Sequence, residues 1–474
     1  MHRRARAGAT VRAGTADRTS MSNDTIAAIA TAGGPIGIIR LSGARAAEAV
    51  DAVFQPASGG KLSEIPANYL TYGQIRLEEG APLDCCFAVH MNAPRSSTGE
   101  NMAELQCHGS PAVLLEIMNA LYRLGVRQAE AGEFTKRAFL NGKLDLAAAE
   151  AVNDLIASRT AEAAQNAAAQ LMGAVGSRIR QVRDELVEMV AHFHAVIDYP
   201  DEEIDPFLFE NAQEVIHRAA AILYRLAESY ERGRIMHEGV PCVILGKPNT
   251  GKSTLLNTLL GRDRAIVTEM PGTTRDIIEE TVRLGPVLLR VSDTAGIRNT
   301  VDPVEKEGID RALRTASSAS IILAVFDSSE PLTDDDLMVM ARATGRTSIA
   351  VVNKSDLPSA VDLEHITRYF QHVVPISAKT GEGIDRLTEL IPHLLGLDTA
   401  AFDGEMITNA RQAAALARAA SRCEEALFGA QSGMTYDAVI MDAEGAIAAL
   451  GEITGQNVTD DIVNKIFENF CVGK

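Results

Sequence analysis

The stretch GKPNTGKS at 246–253 has the residue types and the spacing of a loop that binds phosphate. An apolar run, VPCVIL, precedes it and the amphipathic STLLNTLL follows it, so the expected order is strand, loop and helix, which is the context that the motif requires. Backbone N–H groups would surround phosphate oxygens, Lys252 would reach the β- and γ-phosphates, and the Ser253 hydroxyl would bind Mg²⁺. The loop residues assigned to this predicted nucleotide site are Asn249, Thr250, Gly251, Lys252, Ser253 and Thr254.

Two later motifs would complete the contacts to metal and phosphate. PGTTRD at 271–276 offers Thr274 as a second Mg²⁺ ligand. VSDTAG at 291–296 ends a predicted strand, so Asp293 would lie near the metal and Gly296 could donate its N–H to the γ-phosphate. Each motif alone is weak evidence, and their order along the chain is what makes the set specific.

The base is predicted from AVVNKSD at 350–356, which also ends a predicted strand. Asp356 can accept two hydrogen bonds from the N1–H and the exocyclic amine of guanine, a donor pair that adenine lacks. Asn353 and Lys354 would brace the loop and the base. ISAKTGEG at 376–383 would add contacts near the base from Ser377, Ala378 and Lys379. The set resembles the translation-factor-like class of GTPases and favours GTP over other nucleotides.

The residues that would promote hydrolysis are less clear. Ile297 follows DTAG, where Ras-like proteins commonly have a glutamine that orients water. The side-chain carbonyl of Asn249 could bind a monovalent cation, and K⁺ among the phosphates would neutralise developing charge; Asn249 could equally be a loop former. Glu305 could orient water, or it could be a solvated acid at the start of a helix.

Bulk composition narrows the class of protein. With 474 residues, 46% hydrophobic and 23% charged, the chain has room for two or three domains. A net charge of -18 argues against a broad basic surface for nucleic acid. No apolar run is long enough for a membrane span, so we expect no membrane partner. The cysteines (85, 86, 107, 242, 423 and 471) form no metal or disulfide pattern, which favours a reducing compartment, either the cytoplasm or the mitochondrial matrix.

Changes in pattern along the chain suggest its organisation. Residues 24–141 mix short strands with a helix at 111–125, typical of an α+β domain, and Ala-rich helix follows from 144 to 197, with breaks expected near Gly173 and Gly176. From 239 to 397 strands and helices alternate as in a parallel sheet, and helix then resumes. Composition leaves two interpretations open: three domains in series, or a helical domain interrupted by a nucleotide-binding domain.

The basic stretch at 1–20 has five arginines and one acidic residue, which fits either an upstream start codon used in place of Met21 or a mitochondrial transit peptide. In the second case the protein would lie in the mitochondrial matrix. Folding arguments therefore begin near Met21.

Four motifs, GKPNTGKS, IVTEMPGTTRD, DTAGIR and FCVGK, together resemble the MnmE (TrmE) family of tRNA-modification GTPases, and the resemblance extends from Asp24 to Lys474. It implies a multidomain α/β and α fold. The expected parts are a basic extension at 1–23, a tetrahydrofolate-binding and dimerisation domain of α+β type at 24–141, a discontinuous helical domain at 142–238 and 398–474, and an inserted, doubly wound Ras-like P-loop GTPase domain at 239–397.

The resemblance also implies partners and chemistry. The family forms homodimers and works with an FAD-dependent flavoprotein, MnmG (GidA), in a complex of heterotetramer type. Together they place an aminomethyl-type group on C5 of the wobble uridine of certain tRNAs, using 5-formyl- or methylene-tetrahydrofolate. The G domains pair around K⁺ to hydrolyse GTP. The alternative is a GTP-dependent binding switch in ribosome assembly that does no covalent chemistry.

Site residues follow by motif from the resemblance. K⁺ would be surrounded by Asn249, Thr268, Met270 through its carbonyl, and Thr273, while Ser253 and Thr274 would hold Mg²⁺ and Glu305 would position water. Catalytic roles fall to Glu305, Lys252 and Cys471, and folate contacts to Arg40, Glu104, Lys143 and Lys474. The remaining nucleotide contacts are Glu269, Pro271, Gly272, Thr294 and Ala295. The chain departs from the family pattern at TAGGPIG (31–37) and at CHGS, where Cys107 replaces a common glycine.

The tail FCVGK allows two interpretations. A cysteine four places from the end suggests a lipid anchor, but Gly473 and Lys474 are the wrong residues for prenylation and IFENF precedes the cysteine. We instead expect the apolar helix DIVNKIFENF to dock the tail, so that Cys471 and Lys474 face the folate site, across the dimer.

Overall fold

The chain was analysed in a computed structural model that describes residues 24–31, 33–77, 81–199, 209–262, 279–292, 319–397, 404–468 and 470–473. It divides into two compact units. Unit 1 contains the described residues up to Ala149 together with those from Val458 onward, and unit 2 contains those from Glu150 to Asn457. The predicted basic extension at 1–23 lies outside the described residues.

Unit 1 is built on a seven-stranded sheet with the order β3-β4-β5-β6-β2-β1-β7, in which neighbours are antiparallel except for the β1–β7 pair. Its strands are β1 (Ile26–Ile29), β2 (Ile36–Ser42), β3 (Phe54–Pro56), β4 (Thr71–Ile75), β5 (Asp84–Met91), β6 (Met102–His108) and β7 (Arg127–Gln128). The helices of this part of the chain are α1 (Ala46–Asp51), a 3₁₀ turn (Leu62–Glu64), α2 (Pro111–Arg123), α3 (Glu133–Leu140) and α4 (Leu146–Ala157), which runs into unit 2.

Alternation along β2 and β6 gives the sheet two different faces. Ile39, Leu41 and Leu105 point into a core that also holds Ile117 and Leu121 of α2. Arg40 and Glu104, two of the predicted folate residues, alternate with these residues on the strands and point to the opposite face. Helix α2 begins with proline at its first turn and ends before Gly125, which confirms the predicted helix in this part of the chain.

The C-terminal segment belongs with unit 1. A last helix, α15 (Asp460–Phe467), packs on α3, where the ring centroids of Phe139 and Phe467 lie 6.5 Å apart. Beyond it, the ring centroids of Phe467 and Phe470 lie 5.0 Å apart, and Val472 forms an antiparallel bridge with Ala131. The sequence prediction grouped 398–474 as one helical segment, whereas in the structure the residues from Val458 onward associate with the N-terminal unit.

The helices of unit 2 come from both sides of a second sheet in the chain. Before that sheet lie α5 (Ala161–Leu171), α6 (Ala174–Asp198), α7 (Phe209–Glu228) and α8 (Tyr230–Glu238), and after it lie α13 (Ala410–Gln431) and α14 (Tyr436–Thr454). Helix α7 packs against α13, and α6 packs against α14. The helical domain is therefore discontinuous, with the sheet domain inserted between its two parts.

The Ala-rich helical segment breaks differently from the prediction. One expected break is present, because α5 ends at Leu171 and α6 begins directly after Gly173. The other is wrong, since Gly176 lies buried inside α6. An additional break separates α4 from α5, where the Thr160 hydroxyl caps α5 by accepting a hydrogen bond from Ala163 N at 3.1 Å.

The inserted domain has a six-stranded sheet with the order β13-β12-β11-β8-β10-β9, parallel throughout except for β9 against β10. Its strands are β8 (Val240–Leu245), β9 (Glu279–Leu284), β10 (Val287–Ser292), β11 (Ile321–Asp327), β12 (Ser348–Asn353) and β13 (His372–Pro375). Its helices are α9 (Lys252–Arg262), α10 (Asp334–Ala343), α11 (Leu363–Tyr369) and α12 (Ile384–Leu394).

Helices cover both faces of this sheet. Leu255 of α9 and Leu387 of α12 share one core cluster, while Met340 of α10 and Ile366 of α11 belong to another, on the opposite face. All of β11 is buried, as predicted for a strand in a sheet covered on both sides. The predicted fold class is confirmed. Among the helices of the described ranges, none is long and apolar enough to cross a membrane.

Candidate nucleotide-binding site

The loop GKPNTGKS lies where β8 ends and α9 begins, at the carboxyl edge of the parallel sheet. Two of its residues have left-handed backbone conformations, Asn249 with φ of 63° and Gly251 with φ of 91°. A Cβ at residue 251 would lie 2.2 Å from Nδ2 of Asn353, so only glycine fits there. The loop therefore has the tight backbone turn that phosphate binding requires, and Ser253 and Thr254 lie in the first turn of the following helix.

Lys252 is held against its own loop. Its Nζ donates hydrogen bonds to the carbonyl oxygens of Gly246, at 2.9 Å, and Lys247, at 2.7 Å. The Thr250 hydroxyl donates to the same Lys247 carbonyl at 3.0 Å. These bonds keep the ammonium group at the loop, in position for phosphate oxygens.

One buried amide joins three loops of the site. Asn353 Nδ2 donates to the Thr250 carbonyl at 2.8 Å, and Asn353 Oδ1 accepts from Ala378 N at 2.9 Å. The Ala378 carbonyl in turn accepts a hydrogen bond from the Thr258 hydroxyl of α9 at 2.7 Å. Because Asn353 is only 2% exposed, these bonds form away from competing water and fix the loops after β8, β12 and β13 relative to one another.

The predicted guanine contacts also come together. A hydrogen bond with Ser377 is the main cause that lowers the pKa of Asp356; slight desolvation opposes it, and the charges of Lys379 and Lys354 assist. Asp356 is exposed, so its ionised carboxylate can accept hydrogen bonds from a ligand. Sequence analysis placed all four of these residues at the base, and the structure brings them to one loop cluster.

Asp327 is a site residue that the sequence analysis missed. It ends β11, is 4% exposed, and lies 2.5 Å from Lys354 Nζ through its Oδ2. Burial raises its pKa, but hydrogen bonds from Lys354 and Ser329 outweigh burial and leave the pKa lowered. The available signal was a carboxylate at the end of an apolar strand, on the carboxyl edge where ligands bind.

Several predicted residues lie outside the described ranges. They are Thr268, Glu269, Met270, Pro271, Gly272, Thr273, Thr274, Asp293, Thr294, Ala295, Gly296, Glu305 and Lys474. Two of the predicted metal ligands, Asn249 and Ser253, lie within the described ranges.

A second group of predicted residues lies on the sheet of unit 1. Arg40 and Glu104 are cross-strand partners on β2 and β6, and Arg40 Nε lies 2.7 Å from Glu104 Oε1. Arg40 Nη1 also donates to the Gly473 carbonyl at 3.4 Å, and its guanidinium carbon lies 5.9 Å from the centre of the Phe134 ring. Lys143 has a different partner, the Pro94 carbonyl, at 3.1 Å.

The tail reaches this pair through a close backbone approach. Gly473 has φ of 94°, and a Cβ there would lie 2.6 Å from the Ile29 carbonyl oxygen. Gly132 N donates to the Cys471 carbonyl at 3.3 Å, while Cys471 itself is exposed. In this single chain, the described part of the tail contacts the sheet of its own unit.

A buried ionic network supports α3, on which the tail rests. Arg137, with a side chain 8% exposed, contacts Asp24 at 2.7 Å, Glu100 at 2.9 Å and Glu133 at 3.0 Å. Arg127 adds a bond of 2.6 Å to Glu133. Burial raises the pKa of Glu133, but the bonds from Arg127, Glu130 N and Arg137 outweigh burial and lower the pKa overall. Glu133 is therefore ionised at neutral pH.

Comparison with known proteins finds relatives over most of the chain. A family model described as "GTP-binding protein TrmE N-terminus" matches residues 25–143, and one described as "MnmE helical domain" matches residues 146–471. The tRNA modification GTPase MnmE of Clostridioides difficile is 39% identical, with 95% of this chain and 99% of that protein covered. The chain belongs to the MnmE family.

Other MnmE relatives are equally similar: the tRNA modification GTPase MnmE of Alkaliphilus metalliredigens is 40% identical over 95% of this chain and 99% of its own length. Among solved structures, the G domain of the T. maritima FeoB iron transporter is 25% identical, with 32% of this chain and 97% of that chain covered and a TM-score of 0.25. The predicted family is thus confirmed, and the chain is a GTP hydrolase of the MnmE family.

Proposed function

We propose that this MnmE-family GTPase acts in tRNA modification, adding an aminomethyl-type group to C5 of the wobble uridine of certain tRNAs together with an FAD-dependent partner of the MnmG type. The observation that carries the proposal is the tail, whose Gly473 carbonyl accepts a hydrogen bond from Arg40 of the Arg40–Glu104 pair. A pure GTP switch has no need of a second polar site on another sheet. The relatives' shared name supplies tRNA as the substrate class.

GTP would bind at the carboxyl edge of the second sheet. Lys252 would move from the loop carbonyls to the β- and γ-phosphates, and Asp356 would accept hydrogen bonds from guanine. Ser253 would hold Mg²⁺ with Thr274, because hydroxyl and phosphate oxygens are the hard donors that Mg²⁺ prefers. Asp293 would lie near the metal, and Gly296 would donate to the γ-phosphate.

K⁺ would bind beside the phosphates through Asn249, Thr268, the Met270 carbonyl and Thr273, with Glu305 positioning water. The left-handed conformation of Asn249 places this amide at the turn of the loop. A bound cation would neutralise charge that develops during hydrolysis. Hydrolysis in K⁺ should be at least tenfold faster than in Na⁺ for the native chain, and Asn249→Ala should remove the difference. Equal native rates in the two salts would contradict this role for Asn249.

The Arg40–Glu104 pair would form part of a site for a one-carbon tetrahydrofolate, 5-formyl or methylene. The pair offers a donor and an acceptor that are both half-buried, next to the Phe134 ring. Lys143 and Lys474 would supply cations for the carboxylates of the folate. Cys471 would lie at this site as a reactive thiol, since the tail docks here and leaves it exposed. The boundaries 24–141, 142–238, 239–397 and 398–474 remain our proposed functional division of the chain.

We further propose a homodimer that joins the flavoprotein in a complex of heterotetramer type, in the cytoplasm. All six cysteines are described and free, in keeping with a reducing compartment.

Nucleoside analysis tests the proposed function. Transfer RNA from cells lacking the chain should contain no C5-substituted wobble uridine. Chromatography and mass spectrometry of the tRNA nucleosides measure this loss. Re-expression of the native chain should restore the substitution, and re-expression of Lys252→Ala should not. Unchanged C5 substitution in the deleted strain would contradict the proposal and favour a GTP-dependent switch in ribosome assembly, which would appear instead as altered ribosome profiles.

A further inference from the structure

One short segment, 327–336, contacts two loops of the nucleotide site. The base-reading loop contains NKSD at 353–356, and the phosphate loop is GKPNTGKS at 246–253. The segment runs from the end of β11 to the first turn of α10 and has the sequence DSSEPLTDDD. None of its residues belongs to a motif that contacts nucleotide. Its contacts nevertheless fall on two lysines, one in each loop.

The first end of the segment holds the base-reading loop. Asp327 Oδ2 lies 2.5 Å from Lys354 Nζ, and the Ser328 hydroxyl donates to the Lys354 carbonyl at 2.8 Å. Ser328 N also donates to the Asn353 carbonyl at 2.8 Å. Lys354 is thus held by its side chain and its backbone, in a left-handed conformation with φ of 65° that this residue type rarely adopts.

The other end holds the phosphate loop. Lys247 Nζ lies 3.1 Å from Asp336 Oδ2 and 3.3 Å from Glu330 Oε2. Desolvation lowers the pKa of Lys247, but the two carboxylates outweigh desolvation and raise the pKa. The carbonyl of this same residue accepts the hydrogen bond from Lys252 Nζ at 2.7 Å. Holding Lys247 therefore also places the acceptor that positions the catalytic lysine.

The anchor at Asp336 is rigid because the carboxylate is itself fixed. Its Oδ2 accepts hydrogen bonds from Thr333 N at 2.9 Å and from the Thr333 hydroxyl at 2.8 Å, and the first of these bonds is part of the capping box that begins α10. The Asp336 side chain is 2% exposed and that of Lys247 is 11% exposed. Glu330, by contrast, is 60% exposed and contributes little to the anchor.

We propose that the segment 327–336 is a positioning element that sets the phosphate loop against the guanine-reading loop, with Lys247, Asp327 and Asp336 as positioning residues for GTP. A buried ion pair need not add stability, so a role in alignment explains why two such pairs sit on one segment. The Asn353 side-chain amide links the same two loops through separate hydrogen bonds, so the segment and the amide both fix the position of one loop relative to the other. The segment goes beyond the GTP-binding motifs, since it adds residues that touch no nucleotide.

GTP affinity and stability of the nucleotide-free protein separate alignment from simple stabilisation. Lys247→Met and Asp336→Asn should each weaken GTP about tenfold, which corresponds to about 1.4 kcal/mol. Asp362→Ala is the matched control, because it removes the hydrogen bond from His365 N, at 3.0 Å, that caps α11 and leaves the contacts of Lys247 and Asp336 in place. It should lower the melting temperature and leave GTP affinity within twofold. Glu330→Gln should change neither.

A double-mutant cycle tests whether the two ends act together. If the segment aligns both loops, Asp327→Asn already loosens it, so adding Asp336→Asn should weaken GTP by less than threefold more. Losses that multiply in full would show two independent ion pairs and would overturn the proposal. So would unchanged GTP affinity in Lys247→Met. Should Asp336→Asn fail to fold, the cycle of Asp327→Asn with Lys247→Met gives the same test, since both variants retain the cap on α10.

Discussion

The nucleotide site and the tail site are built in different ways. The first gathers short continuous motifs at the carboxyl edge of a parallel sheet, where backbone loops and one amide, Asn353, fix the geometry. The second joins Arg40 and Glu104 across two strands and adds a tail carbonyl 433 residues further along the chain. A site made of loops tolerates changes elsewhere, whereas a site made by docking depends on everything that seats the tail. The following predictions test that difference.

The largest effect is expected at the phosphate loop. Lys252→Ala should reduce GTP hydrolysis about 10³-fold, because it removes a cation aimed at the charge that develops on the phosphates. Lys136→Ala is a charge-matched control on unit 1, where Lys136 Nζ donates to Asn464 Oδ1 at 2.7 Å. The control should hydrolyse GTP at the native rate. Steady-state phosphate release measures both, and a rate within tenfold of native for Lys252→Ala would contradict the assignment.

Loss of the network under α3 should destabilise the tail site and leave the nucleotide site intact. Arg137→Met leaves Asp24, Glu100 and Glu133 without a buried cation and should cost about 3 kcal/mol in the free energy of unfolding of unit 1. Arg45→Met is the control, since the Arg45 side chain is 53% exposed. Denaturant unfolding followed on unit 1 measures the difference. GTP affinity should not change in either variant, and a parallel fall in GTP affinity would refute the separation of the two sites.

The guanine contact should give a change in specificity. Asp356→Asn replaces an acceptor pair by an amide that can donate to the second carbonyl of xanthine, so GTP affinity should fall about 100-fold and xanthosine nucleotides should gain. Competition binding with GTP and XTP gives the ratio. Retained preference for GTP would count against Asp356 as the residue that recognises the base.

A smaller effect is expected at the tail. Gly473→Ala places a Cβ 2.6 Å from the Ile29 carbonyl and should displace the tail at a cost of about 1–3 kcal/mol, which lowers tRNA modification. Gly59→Ala is the control, because Gly59 also has positive φ but no atom within 4 Å of the added carbon. Modification that is equally reduced in both variants would point to backbone strain and not to docking.

The smallest effect is expected from acid, which should weaken the ionic network of Arg137 under α3. The pKa values of Asp24 and Glu133 lie below their ordinary values of 3.8 and 4.5, so their stabilisation is complete above those values and is lost as the pH falls through the lowered ones. The free energy of unfolding of unit 1 should therefore decrease below about pH 4.5. Glu133→Gln should flatten that decrease, and an unchanged slope in this variant would exclude Glu133 as a source of it.

The sequence predicts the positions of two loops at the carboxyl edge of the second sheet, because each loop is encoded by a continuous motif. GKPNTGKS and NKSD each encode a loop directly after a strand, and the structure places Lys252, Asn353 and Asp356 accordingly. Asp327 was not predicted as a site residue, because a single acidic residue at the end of an apolar strand belongs to no motif. The helix break at Thr160 was not predicted either, because the alanine-rich sequence on both sides resembles one continuous helix.

The tail site shows what the sequence cannot supply without the family. Pairing of Arg40 with Glu104 depends on the register between β2 and β6, and a slip of one residue in either strand would turn that strand's member of the pair to the opposite face of the sheet. The association of α15 with α3 depends on Phe139 and Phe467, which lie far apart in the sequence. In the structure, the residues from Val458 onward pack with unit 1, an association that composition does not encode.

Deletion of residues 472–474 tests the central claim most directly. It removes the bridge from Val472 to Ala131 and the carbonyl that accepts the hydrogen bond from Arg40, while every residue predicted to bind GTP remains. Cells that express only this variant should lose C5-substituted wobble uridine, and the purified variant should bind GTP with native affinity. Persistent modification, or a loss of GTP affinity of tenfold or more, would contradict the account of two separately built sites.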